Sequence, residues 1–232
     1  MTQQHTFLFF ISILLLTVTA NSQVTNQDTI KNKEKYGLRI GVDISKPINS
    51  FFETDNKALE IVSDFRVLRN YYAAVELGFL DKTTNEDYLN FTTTGSYIKA
   101  GFNYNAYENW AGMNNEIYVG FRYGFSLFNQ TLNSYTPNVN GTYFIPETLE
   151  PNTEFKDLTA HWVEFIFGMK VETFNNLFLG VSVSFNNMIS TTDPDNFKNL
   201  QVPGFNRVFL NNKGVGFNYT LSYLIPIIKK NK

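Results

Sequence analysis

The chain has 232 residues, is 43% hydrophobic and 16% aromatic, and carries a formal charge of −2. That length suits one large all-β domain or two small ones, and the charge leaves no basic footprint for a nucleic acid. The absence of cysteine excludes a disulfide framework, a thiolate metal site and a lipid-modified N-terminal cysteine.

The first segment, MTQQHTFLFFISILLLTVTANSQ, has an apolar run from Phe7 to Leu16 followed by the small residues Ala20 and Ser22. This pattern predicts a signal peptide over 1–22, cleaved after Ala20 or Ser22. The run is short of the roughly 20 residues a membrane helix needs. No Lys or Arg precedes it, which leaves the α-amine and His5 as the positive end. Residues 23–35 are polar and without period, and read as a periplasmic lead-in.

From Tyr36 a period of two recurs. The alternating segments are Tyr36–Ile44, Leu59–Leu68, Tyr71–Leu80, Gly95–Ala106, Ile117–Leu127, Leu158–Val171, Leu177–Phe185 and Gly214–Ile225. These predict eight strands, most of them near the roughly 9–11 residues of a membrane-spanning strand. The connections alternate in length. Ser45–Ala58, Asp81–Thr94, Phe128–Asp157 and Asn186–Lys213 are long; Arg69-Asn70, Tyr107–Glu116 and Glu172–Asn176 are short. Bacterial outer-membrane barrels have short periplasmic turns and long external loops. An even strand number places both ends of the domain, residues 36–228, on the periplasmic side, with 229–232 as a C-terminal tail.

Each strand has two faces. One is apolar, as in Ile117, Val119, Phe121, Tyr123, Phe125 and Leu127. The other carries Arg39, Asp43, Glu60, Asp64, Arg66, Glu76, Lys99, Arg122, Glu164 and Lys170 among glycines, serines and asparagines. A soluble lipocalin-like barrel would turn the apolar face inward; an outer-membrane barrel would turn it to lipid. Aromatics at strand ends (Tyr36, Tyr71, Tyr104, Tyr107, Trp110, Phe174 and Tyr223) resemble an interfacial girdle. Glycine suits a crowded barrel wall, and equal numbers of opposite charges suit a closed interior. The expectation is therefore an all-β, eight-stranded antiparallel up-and-down transmembrane barrel with Arg122 pointing into the lumen toward Glu76 or Glu164. Eight strands leave a lumen that side chains fill.

KYGLRIGVDISKPI, YENWAGMNNEIYVGFRYGFS, TLNSYT, AHWVEFIFGMKVE and PDNFKNLQVPGFNRV with GVGFNYTLSYLIP together resemble an uncharacterised outer-membrane β-barrel family of Bacteroidota, over about residues 34–228. The resemblance implies fold and location and carries over no catalytic residue. Asn212–Tyr219 resembles the last-strand motif of such barrels, although the chain runs on to PIIKKNK without the usual terminal aromatic.

Other chemistry is sparse. His161 could act as a general base oriented by Asp157 or Glu164, but no serine motif accompanies it, and it reads as an interfacial polar residue. The carboxylates of DPDN at 193–196 supply a fragment of the roughly 6–8 oxygens that calcium takes, and a proline-nucleated turn fits them better. The loop Phe128–Asp157, with NSYTPNVNGTYF, offers aromatic and amide groups to a glycan or protein. The expectation is a monomeric, non-enzymatic outer-membrane protein without cofactor or metal, acting structurally or through its external loops. Its partners would be the bilayer, the barrel-assembly machinery during insertion, and an extracellular ligand or protein. The alternatives are a membrane enzyme using His161, a soluble carrier and a narrow channel.

Overall fold

The computed structural model describes residues 33–108, 113–137, 148–194 and 198–231; the expected signal peptide lies outside them. The elements are β1 (Lys33–Asp43), α1 (Ser45–Phe52), β2 (Asn56–Leu68), β3 (Tyr71–Glu86), β4 (Leu89–Asn105), β5 (Glu116–Tyr135), β6 (Thr153–Phe174), β7 (Leu177–Thr191), β8 (Gln201–Val202), β9 (Asn206–Arg207) and β10 (Lys213–Asn231). Eight of the strands pair antiparallel in the order β1-β2-β3-β4-β5-β6-β7-β10, and β10 closes on β1, giving a closed barrel; β8 and β9, between β7 and β10 in the chain, form a separate small hairpin. Closure leaves no unpaired sheet edge.

All eight alternating segments are barrel strands, but most strands are longer than their apolar runs. Asp81–Thr94 is no loop: β3 and β4 stay paired through Thr83↔Thr92 to Glu86↔Leu89. β5 likewise pairs with β4 as far as Tyr135↔Leu89, and with β6 as far as Leu132↔Thr153. In these extensions threonine and asparagine occupy both faces, so the period of two fades while backbone pairing continues. Lys33–Lys35 of the expected lead-in and Lys229–Asn231 of the expected tail are the paired ends of β1 and β10. At the end where β1 begins, β2 and β3 are joined through Arg69-Asn70, and β6 and β7 through Asn175-Asn176. Asn176 adopts a left-handed φ of 65° there, a conformation asparagine tolerates in tight turns.

The two faces separate cleanly. Leu59, Ile61, Val75, Leu77, Phe79, Ile98, Phe102, Ile117, Phe121, Leu127, Phe165, Phe167, Leu179, Phe185, Phe217 and Leu221 are all exposed on the outside. The outward run on β5 reaches from Ile117 to Leu127, about 26 Å along the axis at roughly 3.4 Å per residue and a tilt near 40°. At the far end, where β3 turns into β4, the outward positions become polar: Lys57, Asp81, Asn129, Asn187 and Lys213. At the near end sit exposed Tyr71, Tyr104, Tyr107, Phe174 and Tyr223, with the Tyr71 and Tyr104 rings 5.1 Å apart. Trp110 lies outside the described residues.

The expected long loop Asn186–Lys213 is also mostly structure. After β7 the chain enters the far mouth of the barrel as the β8–β9 hairpin. Val202 and Phe205 are completely buried there with Tyr97, Phe128, Leu158, Ala160, Trp162 and Met188. This apolar stopper is the barrel's only cluster of buried hydrophobic side chains among the described residues. Glycine makes room for the large inward rings. A Cβ on Gly124 would lie 2.1 Å from the ring of Trp162, on Gly78 2.1 Å from Tyr97, and on Gly168 2.5 Å from Tyr118. Each of these pairs is directly cross-strand.

Candidate functional site in the lumen

Below the stopper the lumen holds two clusters of ions. In the cluster nearer the stopper, Lys99 Nζ on β4 lies 2.9 Å from Glu76, 3.2 Å from Glu60 and 3.8 Å from Glu164. Arg122 on β5 donates Nε to Glu76 at 3.1 Å, Nη2 to Asn103 at 2.8 Å, and Nη1 to the carbonyls of Phe102 and Phe121. Arg122 stands directly opposite Glu164 in the β5–β6 register, yet its side chain crosses β4 to reach Glu76. Glu164 instead accepts the indole N–H of Trp162 at 2.7 Å. Glu60 accepts the Tyr97 hydroxyl and the Asn218 amide at 3.3 Å. The stopper rings and the ion cluster are thus bonded to one another.

In the second cluster, Arg39 on β1 donates Nη2 to Asp64 at 2.8 Å and to Glu116 at 2.7 Å. Lys170 also pairs with Asp64. The guanidinium of Arg39 lies 4.7 Å from the Phe178 ring centroid and 5.5 Å from that of Tyr72, and Lys170 lies over Tyr118. Aromatic faces stabilise cations most where water is excluded. Between the clusters is a cavity of about 30 Å³ bordered by residues of both, among them Arg39, Asp64, Glu76, Arg122 and Lys170. That is space for about two waters.

Eight of the ten charged residues singled out in the sequence fall in these clusters, all buried. Two do not. Asp43 is buried at the far end, where its carboxylate accepts the N–H of Ser45 and of Tyr219. It pins the start of α1 to β10, because a buried carboxylate takes whatever backbone donors the turn offers. Arg66 sits near the β2–β3 turn, donating to the Arg69 carbonyl with its guanidinium over the Tyr36 ring. Glu116 was not among the ten because it precedes the first apolar residue of its strand; its place opposite Lys170 becomes visible only with the β5–β6 register. The barrel clusters therefore hold four cations (Arg39, Lys99, Arg122, Lys170) and five carboxylates (Glu60, Asp64, Glu76, Glu116, Glu164).

His161 is on the outside of β6. Its Nδ1 is 2.8 Å from the Tyr123 hydroxyl, and its ring is 4.9 Å from that of Phe125. Glu164 points into the lumen and cannot orient it. Among the described residues no group of three His, Asp or Glu side chains is arranged to hold a metal ion. Of the 193–196 loop, Asp193 accepts the Asn199 backbone N–H at 3.3 Å and side-chain amide at 3.0 Å, as a turn residue does; Asp195 and Asn196 lie outside the described residues, as do residues 138–147 of the loop after β5.

No curated protein matches the sequence, and no solved structure matches the chain. One family model does, the domain of unknown function DUF6048, over residues 2–230. That match spans nearly the whole chain, and with it the strands, the stopper and both ion clusters: the protein belongs to the DUF6048 family.

Proposed function

We propose that this protein is an outer-membrane β-barrel with a filled, charge-paired lumen, working as a structural or surface-binding protein through its far end. One observation carries the reading. The closed barrel exposes a continuous apolar band while its interior holds paired ions, the reverse of what water as the surrounding solvent would select. The band's height of about 26 Å compares with roughly 25 Å for the lipid-facing band of such barrels. Polar residues at its far edge and tyrosines at its near edge fit the two head-group regions. The signal-like N-terminus agrees with export, and the resemblance of the sequence motifs supports an origin in Bacteroidota. Far-end structure outside the band (the extended β3–β4 hairpin and the paired extensions of β5 and β6) supplies the surface for a partner.

Cell fractionation of the expressed precursor tests this. Recovery in the outer membrane is the expected result; a folded protein in the soluble periplasmic fraction would overturn the proposal.

A further inference from the structure

Helix α1 has an apolar side with no protein partner. Ile48, Phe51 and Phe52 recur at helical spacing, and none of the eight residues of the helix is buried. Phe51 and Phe52 are 84% and 78% exposed. The helix is nevertheless held in place. Asp43 accepts the Ser45 N–H at one end, and Ser50 Oγ accepts the Ala58 N–H of β2. A groove of about 380 Å³ separates it from the outer barrel wall, lined by Ser50, Phe51, Lys57, Ala58, Leu59 and Phe79.

The position of this groove suggests what fills it. Leu59 and Phe79 are cross-strand partners, and they are the last apolar residues of the outer band on β2 and β3 before Lys57 and Asp81. The groove therefore straddles the upper edge of the band, with apolar walls below and a lysine above. Asp43 faces Lys46 at 4.0 Å and Glu53 faces Lys82 at 3.8 Å; Asp81, opposite Lys57 in the β2–β3 register, accepts the Thr94 hydroxyl at 3.0 Å. Lys57 is the charged residue that lines the groove itself.

We propose that α1 lies in the head-group region at the far edge of the band with Phe51 and Phe52 among the acyl chains, and that the groove seats one acyl chain of an anionic membrane lipid whose phosphate meets Lys57. This rests on the membrane reading above. An amphipathic helix with aromatic residues on its apolar side is stabilised in that plane, and a lysine at the surface attracts anionic head groups. The continuity of the helix's apolar side with the exposed band favours lipid over a protein partner.

The test uses the purified full chain in vesicles of phosphatidylcholine and phosphatidylglycerol with brominated acyl chains. Tryptophan is introduced by Phe51→Trp or, as a control in the band, by Phe121→Trp, and the parent protein supplies the background from its own tryptophans. Both variants should be quenched, Phe51→Trp to at least roughly half the extent of Phe121→Trp. Quenching of Phe121→Trp alone overturns the helix proposal and leaves the membrane reading intact; quenching of neither removes both. Native mass spectrometry of the detergent-extracted protein then reads lipid retention. Lys57→Ala should lower bound phosphatidylglycerol about fivefold while Lys57→Arg retains it; equal retention in all three proteins overturns the phosphate contact.

Discussion

Arg122 uses each of its guanidinium nitrogens inside the barrel, on Glu76, on Asn103 and on two backbone carbonyls. Arg122→Ala would remove all four contacts and leave Glu76 buried with Lys99 alone. Breaking one partner of a buried ion pair costs about 3–5 kcal/mol, so the variant should unfold at markedly lower urea from lipid vesicles. The double variant with Glu76→Gln should lose less than the sum of the two single losses, since the contacts are shared. Gly124→Ala poses the opposite problem. Its Cβ would meet the Trp162 ring at 2.1 Å, and overpacking of this kind costs about 1–3 kcal/mol. The expected result is a lower unfolding midpoint together with a shifted tryptophan emission, because the displaced ring is the reporter. That these residues face inward is readable from their alternation with apolar neighbours. Which carboxylate each cation takes is not, because side chains reach across strands: Arg122 ignores the glutamate opposite it in register.

The β8–β9 hairpin is the element that the sequence conceals most fully. Its buried residues, Val202 and Phe205, are two ordinary apolar positions in a segment otherwise rich in glycine, proline and asparagine, without the run or period that marks a strand. They become a core only because the barrel mouth presents Trp162, Phe128 and Met188 to them. Phe205→Ala should release this hairpin at a cost of about 3–5 kcal/mol, which limited proteolysis would detect as new cleavage within residues 192–212 of a barrel that stays intact; unchanged protection would mean the hairpin is held by other contacts. The β3–β4 extension is concealed for a different reason. Its pairing is carried by backbone hydrogen bonds and by hydroxyl contacts such as Thr83 Oγ1 to Thr92 Oγ1 at 2.8 Å, and neither needs an apolar alternation.

For the molecule as a whole, the decisive property is which solvent surrounds the barrel. Phe121 lies near mid-height of the outer band, and an arginine at the centre of a bilayer costs a barrel about 2–4 kcal/mol. Phe121→Arg should therefore reduce the yield of protease-protected, membrane-inserted protein far more than Asn129→Arg, made at the polar far edge of the same strand. Equal insertion of the two would count against a bilayer around this band. The lumen makes its own prediction. Arg122, Glu76 and Lys99 span the interior below the stopper, so planar-bilayer recordings should show no steady conductance steps from the protein, nor from a variant lacking residues 200–207.

The number of barrel strands, their up-and-down order and the separation into an apolar and a charged face were all legible in the linear chain. A period of two is a local property of each strand, and a residue's face follows from its parity alone. Turn residues punctuate the strands where the chain must reverse. The strand lengths, the stopper, the partnership of Glu116 with Arg39 and the seat of α1 against the outer wall were settled by folding. Each depends on register and closure, which bring together residues as far apart as Arg39 and Glu116, or Glu60 and Asn218, and no local pattern encodes where a closed sheet will place its two ends side by side.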